Sequence, residues 1–414
     1  MNLHLSVSKL KTQNLELKIS GSKSETNRLL LLQALFPELT LENASNSDDS
    51  EVMLNALAIS QHPIPNIQTI DVHHAGTAMR FLTAFFAIQE NKEFVLTGSD
   101  RMKERPIQLL VDALNDLGAD ISFLEKEGFP PLKIKGKKII KSKVALPANV
   151  SSQYISALLL IAPKLENGLE LVLEGEITSM PYIKMTLALL NQIGVKTLVK
   201  SNTIKVNHHT LPITHHSIIV ESDWSSASYW YSFIALSPIG TQISLASFKK
   251  NSLQGDSILV ELYKNFGVET TFNAETITLR KVKNLKPVNL KLKLNNSPDI
   301  AQTIAVTCFA LGITCELTGL HTLKIKETDR LHALQVELTK LGANVLTTEE
   351  AIHIQSNKEW SKKGCISTYN DHRMAMAFAP LALKVPITIE NAEVVSKSYP
   401  QFWEDVKRFG IKIS

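Results

Sequence analysis

Six short polar stretches of this sequence hold the side chains that could do chemistry. They are Lys23, Ser24 and Arg28 in GSKSETNR; Arg105 in RMKERP; Asp299 in SPD; Lys326, Glu327 and Arg330 in KIKETDR; Asp371, His372 and Arg373 in YNDHR; and Lys397 in SKSYP. Arginine forks match carboxylates and phosphates bidentately. Gathered in one place, these cations would repel one another unless anions bound among them, and two anionic ligands fit their number better than one. Asp299 and Glu327 are carboxylates inside that basic field, so one could take a proton while the other delivers one. Taken singly, each residue has a plainer reading: solvated surface cations, a helix cap at Asp299 and a salt-bridged loop residue at Glu327.

Recurrence decides between these readings. Gly21–Arg28 leads into the apolar run Leu29–Phe36, with Ser22 or Ser24 placed to cap the helix start and Ser24 and Arg28 on one face. The uncapped donors of a helix start suit an anion, so this is half of a phosphate site. It is not a Walker A loop, whose glycine–lysine spacing is missing. Further apolar helices are predicted to open at Thr77, Ser151, Ser225, Asp299 and Asp371, at steps of 74, 74, 74 and 72 residues. A second series places Gly118, Gly194, Gly267, Gly342 and Gly410 between a helix end and a strand, as helix stops require. Two independent series with one period predict six copies of a supersecondary unit, the first shortened, each with two helices and several short strands.

Runs such as Ile155–Ile161 and Ala305–Ala310 are small or apolar on nearly every face, so these helices must be buried with the sheets outside. Three copies per domain predict an α/β chain with one lobe over 21–222 and another over 1–20 plus 223–414, with two crossovers. The N-terminus reads as a strand pair, Leu3–Val7 and Leu15–Ile19. Parallel buried helices would bring their starts to one end of each lobe, and two such ends facing each other would make a cleft lined with N–H donors.

Composition narrows the function classes. A net charge of +4 gives no general pull towards nucleic acid or membrane, so an anion site must come from local clustering. No apolar run is long enough to span a bilayer, and Met1–Ser20 lacks a signal-peptide pattern. Cys308, Cys315 and Cys365 have no CxxC spacing; Cys308 and Cys315, in or near an apolar helix, read as buried thiols of a reducing compartment, which makes a cytoplasmic location the expectation. The pairs His73-His74, His208-His209 and His215-His216 lack the companions of a metal motif, so no metal is expected.

In order along the chain, GSKSETNR, AGTAMR, RMKERP, NVSSQY, SMPY, SPD, KETDR, NDHRMAM and SKSYP resemble the 5-enolpyruvylshikimate-3-phosphate synthase family of enolpyruvyl transferases. The resemblance implies two inside-out α/β barrel-like domains of three repeats each. It also implies transfer of the enolpyruvyl group of phosphoenolpyruvate to the 5-hydroxyl of shikimate 3-phosphate, with release of phosphate, in chorismate and aromatic amino-acid biosynthesis. No cofactor is implied, and the family precedent is a monomer.

By motif match, Ser24, Arg28, Ser151, Ser152, Ser179, Tyr182, Thr322 and Lys326 would hold shikimate 3-phosphate. His74, Gly76, Arg105, Arg330, Arg373 and Lys397 would hold phosphoenolpyruvate, and Lys23 and Gln153 would lie between the ligands. Asp299, also counted with the shikimate 3-phosphate set, would be the base at the 5-hydroxyl, and Glu327 the acid for the methylene carbon, with Lys23 assisting. His74 stands where the family usually has Asn, and Thr322 where some members place Asn. Gly76 is retained, so sensitivity to glyphosate is expected. Closure of the domains over the anions, seen as compaction in small-angle scattering, is a further expectation.

Two other readings compete. A UDP-N-acetylglucosamine enolpyruvyl transferase normally carries a loop cysteine where Ser99–Pro106 has none. An RNA-end binding or processing protein of similar repeats would need a long basic face.

Overall fold

The helices that open the repeats are apolar or small around their whole circumference, and they are buried accordingly. In α1 (Lys23–Leu35), α2 (Asp48–Gln61) and α3 (Gly76–Ala87) the burial culminates in α3, where every residue but Thr77 is buried. The short α4 (Asp100–Lys103) leads to α5 (Gln108–Leu117), α6 (Ser152–Ile161) and α7 (Met180–Gln192). Further on, α8 (Trp224–Leu236) buries every residue but Ser225. After the single turn α9 (Leu259–Leu262), α10 (Ala301–Leu311) is buried from Ala301 to Phe309. Then come α11 (Arg330–Lys340), α12 (His372–Phe378), buried throughout, and α13 (Phe402–Phe409). A helix with no polar face needs neighbours on all sides, which here are other helices and a wall of sheets.

The computed structural model describes residues 1–8, 10, 15–61, 67–149, 151–175, 177, 179–284, 289–355 and 364–414. Val150 of the NVSSQY motif lies outside them. The chain divides into two compact units, one of Ser22–Val220 and a composite one of Met1–Gly21 with Glu221–Ser414.

Within Ser22–Val220, the first four-stranded sheet runs Gln68–Asp71, Glu93–Thr97, Leu132–Lys135, Asp120–Phe123, with one parallel pair followed by two antiparallel pairs. Lys143–Pro147, Leu169–Glu174, Thr203–Val206 and Thr197–Lys200 repeat that order. A third sheet has only the parallel pair Thr40–Glu42 and Ser217–Ile219, the shortened copy. Helices α3 and α6 pack together at the centre of this unit, with α1, α2 and α7 beside them.

The composite unit has three four-stranded sheets of the same order. The first starts with Leu15–Leu17 beside Gln242–Ala246, and the second with Leu290–Lys293 beside Cys315–Thr318. In the last sheet Leu3–Val7 fills the third place, between Ile387–Ile389 and Ile411–Ile413. The start of the chain therefore completes the final repeat. Buried α10 packs against both α8 and α12.

Three details differ from the sequence reading. Leu3–Val7 and Leu15–Leu17 do not pair with each other; each joins a different sheet, Leu3–Val7 filling an interior place and Leu15–Leu17 an edge left by later repeats. Helix α8 is capped by Asp223, whose carboxylate accepts from the Ser226 amide at 2.6 Å, so Ser225 lies within the first turn with its hydroxyl spared for other partners. Asp299 caps nothing: it sits in a 3-10 turn, Pro298–Ile300, and its carboxylate turns to cations instead. The five glycine stops all have positive φ, from 73° at Gly267 to 113° at Gly118, the region in which a Cβ is strained.

Candidate active site

In the Ser22–Val220 unit the polar loops meet at helix starts. Ser22 caps α1, accepting from the Glu25 amide at 3.5 Å. One residue on, Lys23 donates to Asp49 Oδ2 at 2.9 Å, and His74 Nε2 lies 3.3 Å from Asp49 Oδ1. Asp49, buried in the first turn of α2, thus ties Lys23 to His74. Burial pushes the Asp49 carboxyl up, but Lys23 and His74 outweigh it and hold the group below the usual carboxylate range.

The start of α3 has no side-chain cap, so the first-turn amides keep the partial positive charge of a helix N-terminus. Arg105 is buried against this start. A Cβ placed on Gly76 would come within 2.6 Å of Arg105 Nη1, so only glycine lets the guanidinium lie so close to the backbone. The loop carrying Arg105 is held by the Pro106 carbonyl, which accepts from Arg80 Nη2 at 3.1 Å and from the Tyr154 hydroxyl. Gln153 Nε2 donates to Thr77 Oγ1 at 3.1 Å, joining the start of α6 to that of α3. Ser151 caps α6, accepting from the Gln153 amide at 3.3 Å.

Arg28 is buried and spends its donors on neutral oxygens: Thr186 Oγ1 at 2.8 Å, the Ser24 carbonyl at 2.7 Å, Ser156 Oγ at 3.0 Å and the Tyr182 carbonyl at 3.5 Å. Burial lowers its pKa to about 10, against the opposing pull of Tyr182 and Glu25. Ser179, before α7, adopts φ 54° and caps nothing with its side chain.

In the composite unit Arg330 is the hub. Its Nε donates to Asp371 Oδ2 at 2.7 Å, Nη1 to Asp299 Oδ1 at 3.0 Å and Nη2 to Glu327 Oε2 at 2.8 Å. Asp371 is placed by its own role as cap of α12, accepting from the Arg373 amide at 2.8 Å. Arg373 Nη2 lies 3.2 Å from Asp299 Oδ2, and Nη1 donates to the Asp299 carbonyl at 3.1 Å. Lys326 stands 3.7 Å from Asp299 Oδ1. Burial alone would raise the Asp299 carboxyl, but Arg373, Lys326 and Arg330 overcome it and drive the group far below its ordinary range, with Glu327 opposing. Burial works against the Arg330 charge, yet Asp371, Glu327 and Asp299 raise its pKa further.

Lys397 donates to the Asn370 carbonyl at 2.6 Å, one residue before Asp371. Among the described residues no hydrogen bond or ion pair joins Thr322, on the turn His321–Ile325, to this group.

Each unit therefore collects its own half of the sequence-derived set. Lys23 joins His74, Gly76 joins Arg105, Gln153 joins the start of α3, and Ser24, Arg28 and Tyr182 form one network. Asp299, Lys326, Glu327, Arg330 and Arg373 form another. Residue-by-residue reading missed the groups that hold these in place: Asp49, Arg80, Tyr154, Ser156, Thr186, Ser225 and Asp256. Arg80 does stand inside the AGTAMR stretch, but nothing in one sequence marks it as the clamp of a loop 26 residues away. In the first histidine pair, His73 is exposed while His74 turns to Asp49.

The sheet order and buried helices define a class, the two-unit α/β folds built from six repeats. A solved EPSP synthase from Acinetobacter baumannii shares the fold, with a TM-score of 0.79 at 22% identity and full coverage of both chains. The enolpyruvyl transferase NikO from Streptomyces tendae does so with a TM-score of 0.74 at 13% identity, covering 100% of this chain and 98% of its own. A profile for EPSP synthase (3-phosphoshikimate 1-carboxyvinyltransferase) matches residues 58–406. A 3-phosphoshikimate 1-carboxyvinyltransferase of Bacteroides fragilis is 44% identical over 407 residues, 96% of each chain. One of Haemophilus influenzae is 37% identical over 424 aligned positions, again 96% of each. This chain belongs to the EPSP synthase family.

Proposed function

We propose that the protein transfers the enolpyruvyl group of phosphoenolpyruvate to the 5-hydroxyl of shikimate 3-phosphate and releases phosphate. The observation that carries the reading is the pairing of Asp299 and Glu327 on a single arginine, Arg330, with Arg373 and Lys326 closing on Asp299. Two carboxylates on one cation suit a reaction that adds a proton at one atom and removes one at another.

In this reading Glu327, assisted by Lys23, protonates the methylene carbon of phosphoenolpyruvate, and cationic character develops at C2. Asp299 takes the proton of the 5-hydroxyl as that oxygen attacks, giving a tetrahedral adduct. Elimination returns the proton movements and expels phosphate. Arg105, Gly76, His74, Arg330, Arg373 and Lys397 hold phosphoenolpyruvate. Ser24, Arg28, Ser151, Ser152, Ser179, Tyr182, Thr322 and Lys326 hold shikimate 3-phosphate, with Lys23 and Gln153 touching both.

The ion pairs supply a reason why the base works only with substrate present. With Arg330 and Arg373 on its oxygens, Asp299 is too weak a base to take a hydroxyl proton. An incoming carboxylate or phosphate competes for the same guanidinium forks and so returns basicity to Asp299. Fixed cations around the leaving phosphate act by preorganised charge.

The proposed state is a monomer. The buried thiols Cys308 and Cys315 fit a cytoplasmic setting, and no helix among the described residues is long and apolar enough to cross a membrane. The test is phosphate release from phosphoenolpyruvate with and without shikimate 3-phosphate. Release that depends on shikimate 3-phosphate is expected; release driven by a UDP-sugar instead, or none, overturns the assignment.

A further inference from the structure

Asp256 is a buried carboxyl beside the Asp299 cluster that the proposed reaction does not use. It lies on the turn Gly255–Ile258, only 4% exposed. The turn is pinned on two sides. Gln254 donates to the Ser222 carbonyl at 2.9 Å and accepts from the Trp224 amide at 2.9 Å, while the Gly255 carbonyl accepts from Ser297 Oγ at 2.9 Å.

The Ser225 hydroxyl donates to Asp256 Oδ2 in a close contact. With its proton so committed, Ser225 Oγ presents lone pairs to Arg373 Nη2, 3.5 Å away. The same Nη2 faces Asp299 Oδ2. Asp256 Oδ1 is buried with no hydrogen-bond partner among the described residues, which is costly for a carboxylate that has only a structural task.

The geometry points to Asp256 as a positioning residue that acts through Ser225 to set how tightly Arg373 holds the Asp299 base. The inference rests on the proposed reaction and adds a residue to it. The titratable and charged groups facing Asp256 are Asp223 on the lead into α8, Asp299 on the turn before α10 and Arg373 on α12. Burial and Asp299 raise the Asp256 carboxyl to about 7, with Ser225 and Arg373 pulling down and Asp223 pushing up. Ionised Asp256 competes with Asp299 for the Arg373 charge and so makes Asp299 the better base. Protonated Asp256 leaves Arg373 to Asp299.

Two readouts on the full chain test this. In carbon NMR of aspartate-labelled protein, the Asp256 carboxyl is expected to titrate near 7, and Ser225→Ala to move that midpoint upwards by removing the hydroxyl donor. An unchanged midpoint in Ser225→Ala overturns the link, whether or not the protein turns over substrate.

In phosphate-release kinetics, Asp256→Asn keeps an oxygen for Ser225 but no charge. Its kcat/KM profile should lose an ionisation near pH 7 that the wild type shows. Ser225→Ala should raise the KM for phosphoenolpyruvate about tenfold, and Asp256→Ala with Ser225→Ala should be within about twofold of Ser225→Ala alone. Multiplied effects in the double variant, or a wild-type pH profile in Asp256→Asn, overturn the proposal. If Asp256→Ala does not fold, Asp256→Asn and Ser225→Ala decide it. A wild type that releases no phosphate sinks the reaction itself, which the NMR midpoint does not.

Discussion

The two units hold their buried arginines in opposite ways. Arg28 is surrounded by neutral oxygens from Ser24, Ser156, Tyr182 and Thr186, and burial pulls its pKa down to about 10. Arg330 is surrounded by the carboxylates of Asp299, Glu327 and Asp371, which raise its pKa. Arg28 therefore keeps a positive charge that no adjoining carboxylate cancels through a hydrogen bond, and an anion meets only neutral oxygens as competitors for its donors. Arg330 and Arg373 are neutralised internally, and an anion must compete with carboxylates for them. In the proposed reaction the first arrangement would serve capture, and the second would couple capture to the release of a base.

The largest expected effect follows from that coupling. Asp299→Asn keeps the size of the side chain but cannot take a proton. It should lower kcat about 10²- to 10⁴-fold, with KM for both substrates changed far less, measured by phosphate release. A loss confined to KM would make Asp299 a mere partner of the arginines and remove the difference between the units.

Stability should separate the two arginines next. Arg330→Met leaves three carboxylates facing one another and should cost about 3–5 kcal/mol at pH 7. Asp299 loses one of the cations that held its proton off, so its pKa rises towards the ordinary range and the native variant binds a proton more readily as pH falls. The deficit against wild type should therefore narrow from pH 7 to pH 5. Arg28→Met leaves neutral acceptors and should cost about 1–3 kcal/mol, with little change over the same range. Denaturant midpoints of both variants at the two pH values check this. Equal pH responses would contradict the electrostatic distinction.

Gly76 sharpens the comparison from the capture side. Its substitution by alanine puts a methyl within 2.6 Å of the Arg105 guanidinium, which must move. The expected result is a rise in the KM for phosphoenolpyruvate of about tenfold or more, since displacements near 1 Å carry such costs. The KM for shikimate 3-phosphate should stay within about threefold. Equal increases for both substrates would detach Arg105 from phosphoenolpyruvate.

How much of this was legible without coordinates follows the physics of each feature. The repeat was legible because every copy needs a capped apolar helix and a glycine stop, and both leave marks at fixed spacing. The exchange of leading strands was not. Leu15–Leu17 and Ser217–Ile219 are too short for their sequence to name a partner, and pairing them with Gln242–Ala246 and Thr40–Glu42 depends on long-range topology. The cations and the two candidate acid–base carboxylates stood out because charged residues at a helix start are conspicuous. Their supports did not, since Asp49, Ser225 and Asp256 are ordinary residues of helices and turns whose importance lies in what they reach across space. Asp299 was misread as a possible cap for the same reason: the position was visible, but the cations that claim its carboxylate come from Lys326, Arg330 and Arg373.

The smallest effect concerns Asp256, a carboxyl beside the arginine cluster whose pKa moves up. Asp299 and Asp256 both feel the charge of Arg373, yet Asp299 is held far below its ordinary range and Asp256 is raised from 3.8 to about 7. For Asp256 the folded state holds its proton more tightly than the unfolded chain does. Between about pH 4 and pH 7 the native protein therefore binds more protons, and its contribution to stability falls as pH rises through that window. Asp256→Asn has no such group. The melting temperature of Asp256→Asn relative to wild type should climb from pH 4 to pH 7 and then level off. A difference that is flat across the window would mean that Asp256 is ionised throughout, and that Arg373 is shared by two full negative charges at every pH.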